Sequence, residues 1–261
     1  KIYQASHKTV WNNFVKEAKN STFLFQRDFM DYHSDRFQDH SMLIYKAEKL
    51  IGVLPANISG SEVISHQGLT YGGLVLSKKI IFEETLQVFK SLLSFLKNGG
   101  IATFRLKLLP KIYHQLPSDE IDYLLFLVKA SIVRRDITSC VFNENPVKIT
   151  SSNRLRGIKK GVKNELQVKE ETNFNLFWTE VLEPNLQQVH DQKPVHSLTE
   201  IELLQARFPK NIRQFNVYKN DKIVAGATIF ETATVAHTQY ISANNTGRQT
   251  GGLDFLFNHL L

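Results

Sequence analysis

The chain has 261 residues, 42% of them hydrophobic, and carries a formal net charge of +7. At roughly 100–200 residues per domain, this length predicts one large or two small domains. The positive charge favours an anionic partner, such as nucleic acid or a phosphorylated cofactor, without choosing between them. No apolar run approaches the ~20 residues that cross a bilayer, and no signal-peptide pattern follows Lys1, so we predict no membrane span. Because the chain lacks an initiator methionine, we interpret it as a trimmed or partial product.

Cys140 is the only cysteine, which excludes an intrachain disulfide and a multi-cysteine metal site. This composition predicts a reducing, cytoplasmic location. Cys140 lies in an apolar run, so we predict a buried, inert thiol. Five acidic and histidine residues near the N-terminus lack any recognisable metal-ligand spacing, and we predict that they bind no metal. These are Asp28, Asp31, His33, Asp35 and His40.

In the first half, apolar residues at helical spacing alternate with short strand-like segments. Helices are predicted at residues 9–20, 82–97 and 119–128. Strands are predicted at residues 41–47, 50–58, 62–66, 101–108 and 131–142. A double glycine, Gly72 and Gly73, precedes the helix at 82–97.

In the second half, helices are predicted at residues 151–164, 174–189 and 199–208, with a dent at Pro184 in the second of them. Strands are predicted at residues 166–169, 212–219, 222–231 and 234–242. The strand at 222–231 is apolar on both faces, which predicts a central position in the sheet. A last helix carries Leu253, Leu256, Phe257 and Leu260 on one face. Because that face runs to the end of the chain, we expect one or two further strands beyond it.

The helix at 151–164 carries a stripe of four cations at positions i, i+3, i+4 and i+7, namely Arg156, Lys159, Lys160 and Lys163. Leu155, Ile158 and Val162 are predicted to form the opposite, buried face. The stripe is either a solvated helix face or a contact for the phosphates of tRNA or coenzyme A.

A glycine-rich segment lies between the last predicted strand and the last predicted helix. A strand, a loop of unpaired backbone N–H groups and a helix N-terminus together predict a cradle for phosphate. The side chain of Arg248 can ion-pair with a phosphate there, although a solvated loop arginine fits equally well. The predicted cradle consists of Gly247, Arg248, Gln249, Thr250, Gly251 and Gly252.

The two halves share a short sequence pattern. Residues 45–51 and 218–224 both read Tyr-Lys-x-acid-Lys-aliphatic-aliphatic, in a strand-turn-strand setting. Each half then continues with a third strand, a double glycine and a helix. The shared order of elements predicts a duplicated α/β domain.

This order of elements resembles the GNAT acyltransferase fold, whose pyrophosphate loop reads Arg/Gln-x-x-Gly-x-Gly/Ala. Residues 248–253 match its arginine, Arg248, and its first glycine, Gly251, and differ at the last position, Leu253. Two such domains joined by a basic helix at residues 153–161 are similar to the FemAB-type subgroup. The resemblance implies transfer of an acyl or aminoacyl group to an amine. The donor is acyl-CoA in GNAT relatives and aminoacyl-tRNA in the members that build peptidoglycan bridges.

The predicted fold class is therefore α/β (α+β), with two tandem GNAT-like domains, each a mixed, mostly antiparallel sheet flanked by helices. The first domain is predicted at residues 1–147, without a donor site. The second is predicted at residues 148–261, with the glycine segment as donor site and an incomplete C-terminus.

Acyl transfer to an amine needs a group that takes the amine proton and donors that polarise the carbonyl oxygen. In the second half, Glu231 ends the central strand, and His237 and Tyr240 lie on the third strand. We predict these three as catalytic residues. Each also has a structural interpretation: a surface carboxylate for Glu231, a satisfied half-buried histidine for His237, and a core or pocket-lining side chain for Tyr240.

Alternation along the third strand places His237, Gln239 and Ile241 on one face and Tyr240 on the other. Gln239 and Ile241 are predicted to bind the donor together with the glycine segment.

The first hypothesis of function is an N-acyltransferase that transfers an acyl group from acetyl-CoA or another acyl-CoA to an amine acceptor, either a small molecule or a peptide. The second is a FemAB-like aminoacyltransferase that binds tRNA through the cationic stripe. The third is a GNAT-like binding module without catalysis.

Overall fold

The computed structural model describes residues 1–144 and 148–261, which form two compact units. The first unit comprises Lys1–Val133 and Thr232–Val235, and the second comprises Arg134–Glu231 and Ala236–Leu261. The predicted domain boundary falls at Val147, which directly follows Asn145 and Pro146. These three residues lie outside the described part. Within the described part, no helix is long and apolar enough to cross a membrane.

The first unit mixes helices with two small sheets. Its helices are α1 (Lys8–Glu17), α2 (Arg27–Met30), α3 (Phe82–Asn98) and α4 (Glu120–Leu127). Its strands are β1 (Gln38–Asp39), β2 (Met42–Lys46), β3 (Lys49–Leu54), β4 (Asn57–Ser59), β5 (Glu62–Ile64), β6 (Val75–Leu76) and β7 (Thr103–Arg105). The sheet orders are β1-β4-β5-β7 and β2-β3-β6, with β5 and β7 parallel. The apolar stripe of α3, including Phe89 and Leu92, packs into the core beneath the strands.

The second unit is built on one antiparallel sheet of order β11-β10-β9-β8. Its helices are α5 (Ser152–Lys163), α6 (Asn175–Phe177), α7 (Glu183–His190), α8 (Leu198–Arg207), α9 (Asn245–Thr250) and α10 (Gly252–Leu260). Its strands are β8 (Gln167–Glu171), β9 (Ile212–Lys219), β10 (Lys222–Glu231) and β11 (Ala236–Ala243). The predicted central position of β10 is confirmed, since the strand is buried along nearly its whole length. The mixed α/β class is confirmed in both units, but the single sheet predicted for the first domain is wrong, because its strands form two separate sheets.

The two hairpins that share a sequence pattern also share geometry. In β2–β3, Lys46 pairs with Lys49, and in β9–β10, Lys219 pairs with Lys222, so each turn has two residues. The first residue of each turn, Ala47 or Asn220, has positive φ, 51° and 47°, but the second residue has positive φ only in the second turn, at Asp221 (59°). Such turns match the right-handed twist of the strands that they connect.

A π-helical turn, Trp178–Leu182, joins α6 to α7 just before Pro184. Proline has no N–H to donate to the carbonyl four residues earlier, so the α-helical hydrogen-bond pattern is interrupted there. The predicted dent is confirmed, and the turn packs against β10 and β11.

Helix α5 is not buried through its apolar side chains, which is a correction. Leu155 is 41% exposed, Val162 is 64% exposed and Ile158 is half-buried, whereas Gly157 and Gly161 are buried. A Cβ at Gly161 would lie 2.7 Å from Cβ of Phe255. The helix therefore contacts α10 through its two glycines, whose lack of a side chain allows the backbones to approach closely.

Two predictions about residues 131–142 are wrong. Residues 131–141 form no helix or strand, although their apolar pattern predicts a strand. Cys140 is exposed and not buried. A strand needs a hydrogen-bonding neighbour, and no described strand pairs with this segment.

Candidate active site

A row of polar side chains crosses one face of the sheet in the second unit. Thr228 Oγ1 donates to Gln214 Oε1 (2.6 Å), and Gln214 Nε2 donates to Asn216 Oδ1 (2.8 Å). Asn216 Nδ2 then donates to Glu171 Oε2 (2.5 Å). The first three residues are fully buried. Because an unpaired polar group is costly in the core, the row holds each of these side chains in one orientation.

Glu171 is the partly exposed end of this row. Its Oε2 also accepts a hydrogen bond from the hydroxyl of Tyr218 (2.6 Å). Burial, and then the contact with Glu171, raises the pKa of Tyr218 to about 12, so the hydroxyl stays a donor at neutral pH. The Glu171 carboxylate borders an open pocket of about 550 Å³, lined also by Gln205 and Arg213. An oriented carboxylate in such a place can bind an ammonium group or accept a proton.

Glu231, a predicted catalytic residue, lies in an ion-pair cluster. Arg213 donates from Nη1 to Glu231 Oε2 (2.8 Å) and makes two parallel hydrogen bonds to Glu170 (2.8 and 2.9 Å). The contacts with Glu170 and then Glu231 raise the pKa of Arg213, and the contact with Arg213 lowers the pKa of Glu170. The cluster fixes Glu231 beside a permanent cation, and its catalytic role stays a prediction.

The face prediction for β11 is wrong. Ile241 pairs with Ala227 and Tyr240 with Thr228, but the register then shifts, and Thr238 pairs with Ile229. Gln239 is the extra residue of this β-bulge, so His237 moves to the same side of the sheet as Tyr240. Gln239 is half-buried, with an Oε1 that has no hydrogen-bond partner among the described residues, and Ile241 is exposed.

Tyr240 and His237 differ in their surroundings. The Tyr240 hydroxyl accepts a hydrogen bond from the His196 backbone N–H (3.1 Å) and lies 2.6 Å from His196 Nδ1. Burial raises the pKa of Tyr240 to about 12. Burial also lowers the pKa of His237, which favours the neutral ring. The contacts of Tyr240 fit a packing role, and the catalytic roles of both residues stay predictions.

The prediction of a glycine loop is wrong, because Asn245–Thr250 form a short helix, α9. Asn244 caps α9 by accepting a hydrogen bond from Gly247 N (3.0 Å), and Gly251 ends the helix with φ of 78°. A Cβ at Gly247 would lie 2.1 Å from Val224 O, and one at Gly251 would lie 2.2 Å from Gly157 O. These glycines are therefore needed for close backbone packing within the unit.

The other members of this segment are already in contact with protein groups. Arg248 donates to Asn245 Oδ1 (3.1 Å) and to Asn185 Oδ1, and Thr250 Oγ1 donates to Thr246 O (2.8 Å). Gln249 and Gly252 are exposed and buried, respectively. Asp254 in the first turn of α10 pairs with Arg154 (2.8 Å). This carboxylate already occupies the positive end of the helix dipole, where a pyrophosphate is predicted.

The first unit contains a smaller pocket beside its double glycine. Gly72 donates its N–H to Lys107 O (2.7 Å) and bridges Leu108, but β6 then joins β3 in the other sheet. Asn20 fills part of the gap by bonding Leu74 O and Leu76 N (2.8 Å each). The chain after Gly72 therefore separates from the segment after Leu108, and a pocket of about 210 Å³ lies between these two segments.

His114 lines this pocket. Its ring hydrogen-bonds the Leu109 backbone, and its Nδ1 is buried without a hydrogen-bond partner among the described residues. Burial lowers the pKa of His114, the Leu109 hydrogen bond opposes this, and Lys111 lowers it further. The ring is therefore neutral at pH 7 and can accept a proton.

Comparison with solved structures finds proteins that share this fold. FemX matches with a TM-score of 0.60 over 100% of this chain and 84% of its own, at 8% sequence identity. The C-terminal DUF2156 domain of a lysylphosphatidylglycerol synthetase from Agrobacterium fabrum matches with a TM-score of 0.54, over 98% of this chain and 74% of its own, at 11% identity. No protein-family model matches the chain, and no curated protein matches its sequence. At these identities, the likeness establishes a shared fold alone.

Sequence reasoning did not find the polar row or the pocket at His114. The signal for the row is the alternation of Gln214, Asn216 and Tyr218 along one strand, a pattern that usually indicates a solvent-facing side. Here the face is covered by the segment that contains the π-helical turn. His114 lies in a loop between two prolines and shows no periodic signal.

Proposed function

We propose that the protein is an aminoacyltransferase of the FemAB type, composed of two GNAT-like units, that transfers an aminoacyl group from tRNA to an amine. The observation that carries the proposal is the match to FemX along the whole chain. The second neighbour is a synthetase whose name denotes a lysyl product, which points to the same class of transfer. The hairpins β2–β3 and β9–β10 share a sequence pattern and a two-residue turn, which supports the predicted duplication of the domain.

Two features favour an aminoacyl donor over acyl-CoA. The close packing of Gly251 on Gly157 leaves little room for a pyrophosphate at the N-terminus of α10. The carboxylate of Asp254 in the first turn of that helix would also repel its negative charge. The pocket beside Glu171 instead suits a cation, because the Arg213 charge there is already paired with Glu170 and Glu231. An aminoacyl group carries a free ammonium, whereas a simple acyl group does not.

The cationic stripe of α5 is the proposed tRNA contact. Arg156, Lys159, Lys160 and Lys163 are all exposed and extend over about 10 Å of helix. Reversing Lys159 and Lys160 to glutamate is expected to weaken tRNA binding by tenfold or more, on the order of two lost phosphate contacts, and to flatten its salt dependence. Filter binding or fluorescence anisotropy at several salt concentrations measures both quantities.

A matched control is available on α3. Lys90 and Lys97 are exposed cations seven residues apart, and reversing both changes the net charge by the same amount. The control is expected to lose much less affinity than the α5 variant. Equal losses of tRNA affinity in the two variants would mean that only the total charge matters. A tRNA affinity that does not change with salt concentration would contradict the proposal.

The pocket of the first unit is the proposed site for the acceptor amine, with His114 as the proton acceptor. His114→Gln is expected to lower kcat by about a hundredfold, a typical contribution of general base catalysis. Because a base must be neutral, the wild-type rate is expected to fall as pH drops through the lowered pKa of His114, below 6.5. The variant is expected to lack this acid limb in its pH–rate profile.

His259→Gln is the control, since His259 is exposed on α10 in the second unit. Its rate and pH profile are expected to match those of the wild type. An unchanged acid limb in His114→Gln would contradict the assignment of His114 as the base. A thermal shift with millimolar acyl-CoA, lost in Arg248→Ala, would favour the acyl-CoA hypothesis instead.

A further inference from the structure

Two buried histidines of the first unit lie in contact with each other. His33 is 1% exposed and His66 is 4% exposed, and their ring centroids lie 5.0 Å apart. His66 has φ of 60°, in the left-handed region that few non-glycine residues adopt. Its Nδ1 is buried and has no hydrogen-bond partner among the described residues. The ring of His66 is therefore held in place by packing and not by a hydrogen bond at Nδ1.

The second histidine begins a loop that follows β5. We call residues 66–71 the His66 loop. Its backbone rests on the other histidine, because a Cβ at Gly68 would lie 2.1 Å from Nε2 of His33. Gln67 N donates to Asn57 Oδ1 (2.8 Å), and Asn57 Nδ2 donates to Gln67 Oε1 (2.9 Å). The loop is thus closed onto the unit through the ring of His33 and through one side chain of β4.

The groups that act on the His66 ring in the described part of the chain are a second histidine and two cations. Burial, and then His33, Arg27 and Lys107, lower the pKa of His66 to about 3. Arg27 belongs to α2, and Lys107 follows β7. Lys107 also reaches the loop itself, where its Nζ donates to Leu69 O. All of these neighbours disfavour a proton on His66.

Arg27 brings two carboxylates near this site, and both are bound to its guanidinium. Asp39 accepts from Nη1 (3.4 Å) and Nη2 (3.2 Å) of Arg27, and Asp31 accepts from Nη2 (2.5 Å). Neither carboxylate contacts His66 in the described structure. A proton on His66 would therefore add a buried positive charge beside Arg27 and Lys107 without a carboxylate to pair with it, which is costly.

We propose that the His33–His66 contact is an acid-sensitive latch, which holds the His66 loop closed while His66 is neutral and releases the loop when His66 binds a proton. The loop leads into Gly72 and Gly73, which line the pocket of about 210 Å³. Release of the loop therefore loosens one wall of that pocket. The inference concerns the loop and does not depend on the proposed reaction.

The direction of the pH dependence follows from the difference between the two pKa values. In the open loop His66 is in water and has its ordinary pKa of 6.5, whereas its pKa in the closed loop is about 3. Between these values the open form binds a proton that the closed form does not. Closure is therefore fully favoured above pH 6.5 and weakens as pH falls toward 3, by up to about tenfold in the opening equilibrium constant per pH unit.

Hydrogen exchange of the intact chain, followed by mass spectrometry between pH 7 and pH 4.5, tests the latch. After correction for the intrinsic exchange rate at each pH, the protection of peptides covering the His66 loop is expected to fall about tenfold per pH unit below pH 6. Protection of α3, in the same unit, is expected to fall much less.

A variant without the titrating ring gives the matched comparison. Asparagine tolerates the left-handed backbone and does not titrate, so His66→Asn is expected to lose most of the pH dependence of loop protection. His190→Asn, at an exposed histidine of α7, is the control and is expected to follow the wild type.

The wild-type measurement needs no variant and is decisive by itself. A loop protection that does not change with pH would overturn the proposal. An equal fall in the loop and in α3 would also overturn it, because proton uptake would then unfold the whole unit. A fall in His66→Asn as steep as that of the wild type would assign the pH dependence to another group and would equally overturn the latch.

Discussion

Lys19→Met is expected to destabilise the first unit by about 3 kcal/mol, the largest stability effect that the structure predicts. The Lys19 ammonium pairs with the Glu120 carboxylate, and the two side chains are only 5% and 20% exposed. Ser118 Oγ also donates to Glu120 (3.0 Å). Methionine keeps the shape of the stem but leaves a buried carboxylate without its cation. Urea denaturation followed by circular dichroism measures the change.

Removing both charges is the control for this pair. Lys19→Met with Glu120→Gln is expected to be more stable than Lys19→Met alone, because no uncompensated charge remains. Burial alone would raise the pKa of Glu120, but hydrogen bonds from Lys19, its own backbone N–H and Ser118 outweigh it and lower the pKa. The stabilisation is therefore present above the usual pKa of 4.5 and is lost as pH falls through the lower folded value. A gap between wild type and Lys19→Met that widens in acid would contradict this account.

Gly161→Ala is expected to destabilise the second unit by about 1–3 kcal/mol, the usual cost of forcing an extra methyl group into a packed site. Alanine is the better helix former by about 1 kcal/mol, so an exposed glycine would give the opposite sign. Here the added Cβ would lie 2.7 Å from Cβ of Phe255, an atom fixed to the backbone of α10 that cannot rotate away. The midpoint of urea unfolding gives both sign and size.

Val162→Ala is the matched control on the same helix. Val162 is exposed, so its truncation is expected to change stability by less than about 0.5 kcal/mol. If Gly161→Ala instead stabilises the protein, the close contact between α5 and α10 is not present in solution.

Much of the fold follows from the sequence because its strands and helices have clear periodic patterns. The strands at residues 212–219 and 222–231 match β9 and β10 in full, and the helix at 82–97 matches α3 to within one residue. Periodicity fails where an element depends on a neighbour. Residues 131–141 have the pattern of a strand but pair with no described strand, and α5 packs through its glycines, which hydrophobicity patterns ignore.

The candidate site was less predictable than the fold. The β-bulge at Gln239 reverses the face of His237, and a bulge has no sure signature in one sequence. The segment from Gly247 to Gly252 resembles a phosphate loop, yet its glycines serve close packing and Asn244 caps it into a helix. The polar and glycine residues of the sequence indicate where the backbone has an unusual conformation or packs closely. They do not indicate which groups the backbone contacts there.

Single-turnover transfer from labelled aminoacyl-tRNA to a peptide amine tests the central claim most directly. The account predicts an amide product that requires charged tRNA and is lost with excess uncharged tRNA at low salt. It also predicts a slower reaction for the Lys159/Lys160 reversal than for the Lys90/Lys97 reversal. Transfer from acyl-CoA with no transfer from aminoacyl-tRNA would contradict the account.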